Sequence, residues 1–282
     1  MNIPAIEPLT LAHVVPLVRL CNQTFVEHAR FPEHGLQAVR LVREQPEWQW
    51  GAFADNRLAG ALLCQCRPEK KTVAIRLIGT DPALRGVGIG RRLLDHLETE
   101  ARRKGMEALS VGTPFAARFY EKCGFRPTRT TLRMIKDLAQ KTVLLPDTIS
   151  VAPFTLDEAP EILACLPEPE SQARFLEAFL ANLRLHGSYA LRIARNGALA
   201  GAVLGAADTV CPDFVRVGLV LPLGANLEDL IRTAEYAVSR QGLRYIGFPA
   251  EPEQEDIFAK LGYERAARDF FWTMYTLRKQ IS

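Results

Sequence analysis

The residues best suited to chemistry stand in one run, Asp81-Pro82-Ala83-Leu84-Arg85-Gly86-Val87-Gly88-Ile89-Gly90-Arg91-Arg92-Leu93-Leu94. An apolar strand-like stretch ends before it, a proline turn follows, and three glycines open directly into an amphipathic helical pattern. Glycine lets a backbone approach a ligand closely, and the first N–H groups of a helix have no intrahelical acceptor. Those amides and the helix dipole make a cradle for phosphate or another anion. Arg85 and Arg91 can add charge-assisted bonds to phosphate oxygens. A dinucleotide fingerprint needs G-x-G-x-x-G, and counting from Gly86 puts Arg91 in the place of the third glycine. The Gly-Lys-Ser/Thr ending of a P-loop is absent as well.

What remains is R-x-x-G-x-G after a strand, with Arg85, Gly88 and Gly90 in the fixed places. A second segment, Ala116-Ala117-Arg118-Phe119-Tyr120-Glu121-Lys122-Cys123-Gly124-Phe125, reads A-x-x-F-Y-E-K-x-G-F. Together the two segments resemble the GCN5-related N-acetyltransferase (GNAT) family. The resemblance implies that Arg85, Gly86, Val87, Gly88, Ile89, Gly90 and Arg91 hold the pyrophosphate of acetyl-CoA. It implies that the backbone of Ile78, Gly79 and Thr80 pairs with the pantetheine arm and polarises the thioester carbonyl. It also implies that Tyr120 protonates the departing thiolate, a role that suits a neutral phenol.

Two positions depart from the family pattern. The Asn that family members usually carry seven residues before this Tyr is Thr113 here, whose hydroxyl can still meet the cofactor. Many members place a general-base Glu on the strand entering the loop. Here Thr72–Thr80 contains no acid, and Arg76 carries the opposite charge. A base or a water must still take a proton, because an alkylamine is mostly protonated at neutral pH. Glu27, His28, Glu33 and His34 lie where the family builds its acceptor pocket, and the sequence does not choose among them.

The elements that position these residues follow from periodicity and punctuation. A strand over Ile3–Glu7 leads to helices between Leu11 and Glu44, then to strands over Trp50–Asp55, Leu58–Cys66 and Thr72–Thr80. A helix from about Gly90 to Lys104 stops at Gly105; a strand over Ala108–Val111 and a short helix over Ala116–Cys123, capped by Gly124, come next. Two closing strands are expected near Phe125 and over Thr131–Ile135. The class is α/β in the α+β sense, a mixed and mostly antiparallel sheet flanked by helices.

The same order recurs. Pro8–Pro16 is answered by Pro153–Pro160, where Thr155 and Glu158 have capping-box spacing, and Asp55–Ala61 is answered by Arg195–Ala202. Gly60 and Gly201 are 141 residues apart, and Gly124 and Gly262 are 138 apart. The 282 residues therefore predict two tandem copies of one domain, 1–140 and 151–282, with a linker over Ala139–Ser150. In the second copy, Pro222, Ala225 and Leu227 stand opposite Arg85, Gly88 and Gly90, and Phe258 stands opposite Tyr120. The family resemblance thus implies an acetyl-CoA-binding first copy and a degenerate second one.

Charge follows the same division. Residues 1–140 carry 21 Lys+Arg against 14 Asp+Glu, a balance of +7; residues 141–282 carry 14 against 18, a balance of −4. The net +3 excludes a polybasic nucleic-acid binder. No apolar run is long enough to span a bilayer, and the N-terminus lacks a signal-peptide pattern, so a cytoplasmic protein is expected. The six cysteines are scattered without metal-ligand spacing, which predicts reduced core thiols and no metal. The expected activity is acetyl-CoA-dependent N-acetylation of a small-molecule amine or peptide by a monomer, as an internal pseudo-dimer, or a homodimer. The acidic excess of the second copy favours a cationic acceptor. A non-catalytic acyl-CoA sensor or regulatory module is the alternative.

Overall fold

The computed structural model describes residues 4–24, 31–139, 143–183, 185, 187–208, 211–266 and 273–281, and at 31–34 the backbone alone. In chain order the first half forms β1 (Ala5–Pro8), α1 (Val14–Thr24), α2 (Phe31–Glu44), β2 (Gln49–Ala54), β3 (Arg57–Arg67), β4 (Thr72–Thr80), α3 (Ile89–Arg103), β5 (Ala108–Thr113), α4 (Ala117–Lys122) and β6 (Arg126–Asp137). The second half forms β7 (Ile149–Pro153), α5 (Ala159–Ala164), α6 (Pro169–Asn182), β8 (Ser188–Arg195), β9 (Ala198–Ala207), β10 (Phe214–Pro222) and α7 (Leu227–Ser239). It closes with β11 (Tyr245–Ala250), α8 (Glu255–Lys260), β12 (Glu264–Arg265) and β13 (Met274–Gln280).

Two compact units result: Met1–Thr130 with Arg268–Ser282, and Thr131–Ala267. The first has a sheet in the order β1-β2-β3-β4-β5-β13, antiparallel except for β4 beside β5. The second runs β6-β11-β10-β9-β8-β7, antiparallel except for β10 beside β11, with β12 also paired to β6. The mixed, mostly antiparallel class expected from the sequence is the one observed.

Local signals explain much of this. Both hairpin turns, Asp55-Asn56 and Asn196-Gly197, have positive φ at both central residues, the turn whose twist suits a two-residue hairpin. The helix-ending glycines Gly105, Gly124, Gly242 and Gly262 all have positive φ. The Glu158 side chain accepts from the Thr155 backbone N–H at 2.8 Å, completing the expected capping box. β3 is apolar from Leu58 to Cys64 because both faces are covered there. Ala61 and Leu63 pack with α1 and α2 residues such as Leu17 and Leu41, while Leu62, Cys64 and Cys66 pack with α3 residues such as Leu93 and Leu97. Burial pushes the Cys21 thiol up to about 12 and Cys64 well above the ordinary thiol range.

The closing strands differ from expectation. The pair predicted between Phe125 and Ile135 is one continuous strand, β6, and its residues from Leu132 to Asp137 pair with β11 in the second unit. The first sheet is finished instead by β13 from the chain's end, in register from Tyr275 opposite Thr113 to Gln280 opposite Ala108. The units therefore do not follow a single cut between residues 140 and 151. Side-chain burial accounts for the exchange: Leu132 and Met134 of β6 fill the second core, while Leu277 and Ile281 fill the first.

A buried ion pair fastens the exchanged strand in the second unit. Lys136 of β6 meets Glu235 of α7 at 2.7 Å, with only 8% and 3% of the two side chains exposed. Removing one partner leaves the other charged and buried, which costs about 3–5 kcal/mol. Glu235→Ala is therefore expected to lower unfolding stability by about that amount in urea titration, and Glu235→Gln by less. An unchanged midpoint for Glu235→Ala would show that this pair does not hold β6.

Candidate active site

The site begins where two strands separate. β4 and β5 pair from Thr72 opposite Ala108 to Ile75 opposite Val111, and no further. On its other edge β4 stays paired with β3 as far as Thr80, and the register shifts at Arg76, which is the extra residue between Ile75 opposite Cys64 and Leu77 opposite Leu63. Such a bulge bends its strand and raises the local twist. From Arg76 onward no strand among the described residues pairs with the edge of β4 that faced β5.

Two adjoining cavities follow that edge. One of about 170 Å³ fills the gap, and Arg76, Ile78, Gly112, Thr113, Pro114 and Tyr120 are among its walls. The other, of about 480 Å³, shares Ile78 and Ala116 with it and is lined by Thr24, Gly79, Thr80, Arg85, Gly86, Gly88, Ile89, Gly90, Arg91 and Phe119. The structure thus brings together most of the expected ligand-binding residues. Val87 is the exception: its side chain is exposed and lines a separate cavity of about 680 Å³ with Asp81 and Arg92, so it offers the cradle backbone only.

The loop is built to present amides. The Asp81 carboxylate accepts from the Ala83 backbone N–H at 2.9 Å, which fixes the proline turn. Gly86 and Gly88 have φ of 84° and 88°, and a Cβ on either would meet no protein atom within 4 Å. Gly88 is the N-cap of α3, and among the described residues no side chain caps that helix, which leaves its first-turn N–H groups available. A Cβ on Gly90 would sit 3.3 Å from the Phe119 ring, so glycine here lets α3 and α4 approach. In the second unit the corresponding helix is closed. Asn226 Oδ1 accepts from the Asp229 backbone N–H at 2.8 Å, and Asp229 pairs with Arg195.

The two loop arginines have structural partners as well. Arg85 Nη2 donates to the Thr24 carbonyl at 3.0 Å, and Thr24 Oγ1 donates to the Thr80 carbonyl at 3.0 Å. This clasp between α1 and the end of β4 was not foreseen, since nothing local marks Thr24 as the partner of a residue 56 positions away. Arg91 pairs with Asp95 at 2.9 Å and donates to the Lys122 carbonyl at 3.1 Å. The Thr113 hydroxyl accepts from the Ala116 backbone N–H at 3.0 Å, so it already serves the start of α4.

Tyr120 is 3% exposed and packs edge-on against Phe119 and Phe125, with ring centroids 5.1 and 5.4 Å away. Burial, with smaller effects from Cys64 and Cys123, holds its phenol well above the ordinary range. It therefore keeps its proton throughout the physiological range. No acidic side chain is among the residues lining the 170 Å³ cavity. Of the base candidates, Glu27 and His28 lie outside the described residues, and so do the side chains of Glu33 and His34.

Residues 15–125 match the acetyltransferase (GNAT) family. This segment is a GNAT-family domain. No protein of curated function matches the chain. Among solved structures, a tandem GNAT protein from the clavulanic acid biosynthesis pathway aligns over 99% of this chain and 98% of its own, at TM-score 0.72 and 18% identity. A GCN5-related N-acetyltransferase from Sphaerobacter thermophilus aligns over 99% and 97%, at TM-score 0.69 and 16% identity. At these identities the likeness concerns the fold, and it extends through both units. The GNAT match suggests acyl transfer from an acyl-CoA.

Gly88→Ala is expected to cost about 1–2 kcal/mol in chemical denaturation, because an L side chain disfavours the left-handed backbone. It should also weaken coenzyme A binding about tenfold or more in calorimetry, since the new methyl occupies the face that presents the amides. Unaltered affinity would remove this loop from the binding site.

Proposed function

We propose that the first unit is an acetyl-CoA-dependent N-acetyltransferase that moves the acetyl group to a primary amine by direct attack on the thioester. The observation that carries this reading is the junction of an open β4 edge, an uncapped α3 N-terminus and a buried phenol along two adjoining cavities. The residues present suit an acyl-CoA: glycines leave room for a phosphate group at the helix start, and a bare strand edge suits an extended amide-bearing arm. When bound, acyl-CoA supplies an acyl carbon activated toward an amine.

The chain's own residues then divide the work. Amides of Gly86 through Gly90, with Arg85 and Arg91, hold the pyrophosphate. The backbone of Ile78, Gly79 and Thr80 orients the arm and offers a donor to the carbonyl oxygen. Tyr120 Oη holds a proton ready for the departing sulfur. Holding amine and acyl carbon together accounts for much of the rate. In this reading the second unit is a degenerate copy, supported by the Asn226 cap, the acids Glu228 and Asp229, and Phe258, buried where Tyr120 stands in the first.

Among the described residues no carboxylate lines the gap, and this favours one competing reading, an acyl-CoA sensor without turnover. Thiol release separates the two. With acetyl-CoA and a panel of amines, turnover is expected, and Tyr120→Phe should lower kcat about a hundredfold with little change in KM for acetyl-CoA. Binding without thiol release for every amine would favour the sensor, and equal kcat for the variant would remove Tyr120 from the mechanism.

A further inference from the structure

The charge at Arg76 is unexplained by acyl-CoA binding. Arg76 is the bulged residue of β4, and it stands at the position where the strand leaves β5. It lines the same 170 Å³ cavity as Tyr120 and Thr113, whose remaining walls are largely apolar: Ile75, Leu77, Ile78, Val111 and Pro114. Its neighbour Leu77 packs into the core beneath α1 and α2, which places this stretch of β4 under the α2 side of the sheet.

The charges around it are of its own sign. Burial, then Arg67 and then Arg40 hold the Arg76 guanidinium below the ordinary arginine range. Arg40 is itself paired with Glu44 at 3.3 Å. Among the described residues no carboxylate pairs with Arg76. Arg76 is nonetheless exposed, so water solvates it in the free protein, and a guanidinium on this cavity wall with only like charges beside it is open to an incoming anion. The pyrophosphate cradle lies around the other cavity, at Arg85 and Arg91, and Arg76 is not among its walls.

We infer that Arg76 recognises a carboxylate carried by the acceptor, so that the substrate class is amines bearing a carboxylate, such as amino acids, rather than polyamines. The inference rests on the proposed acetyl transfer. A guanidinium fork matches a carboxylate with two parallel hydrogen bonds, and the mostly apolar cavity strengthens such a pair. A single fork on otherwise apolar walls suits one negative charge better than a phosphate dianion. The acidic balance of the second half then bears on solubility rather than on acceptor choice.

The test uses the full chain and matched amines that differ by the carboxylate: phenylalanine and phenethylamine, lysine and cadaverine, arginine and agmatine. Acetyl-CoA turnover is followed by thiol release, and binding of each amine, with and without coenzyme A, by calorimetry. In at least one pair the carboxylate member should be favoured about tenfold to a hundredfold in kcat/KM and in affinity. Arg76→Gln should erase that preference through KM, leaving coenzyme A affinity unchanged, and Arg76→Lys should restore part of it. No preference in any pair, or a preference that survives Arg76→Gln in a folded protein, overturns the assignment. Failure of the wild-type chain to bind coenzyme A overturns the proposed function instead, and amine binding to the free protein still reads out Arg76.

Discussion

β4 holds β3 as far as Thr80 but releases β5 after Ile75, and the candidate site is arranged around that divergence. A strand inside a sheet normally has both edges satisfied, and a bare edge inside a fold carries amides and carbonyls in need of partners. One inserted residue, Arg76, bends β4 away and creates that need. The gap sets the position of its two walls, and α4 follows β5 closely enough to put Tyr120 on one of them. The clasp from Thr24 to Thr80 and Arg85 then fixes where β4 ends and the loop begins.

The helices α3 and α7 start from the same place in their sheets and answer the same problem in opposite ways. Every helix begins with amides that its own turns cannot satisfy. At α7 the chain satisfies them internally, with Asn226, and then adds Glu228 and Asp229, which complement the dipole. At α3 it leaves them open behind a left-handed glycine and puts no acid in the first turn. Local stability favours the first arrangement and anion binding the second.

Much of this was legible residue by residue. The glycine loop, both hairpin turns and the helix-ending glycines carry their conformations in residue type, because few residues tolerate positive φ. The capping box at Thr155 depends on spacing alone. The exchange of β6 and β13 was not legible: nothing in either segment names its partner, and partner choice is decided by cores assembled from residues more than a hundred positions apart. The bulge was equally silent, since Ile75-Arg76-Leu77 reads as plain alternation. By residue type Arg76 is only the wrong charge for a base, and its place on the wall of the gap depends on the strands in space. The second duties of Arg91 and Thr113, toward Lys122 and Ala116, were hidden for the same reason.

The exchanged strands also impose an order of events on the ribosome. β5 ends at Thr113, but the neighbour that covers its edge is β13, which starts only at Met274. The nascent first unit must therefore wait, with one edge of its sheet and part of its core bare, until β13 has been made. The same connectivity means that splitting a gene at the linker separates each unit from one of its own strands, even though both halves look whole on paper.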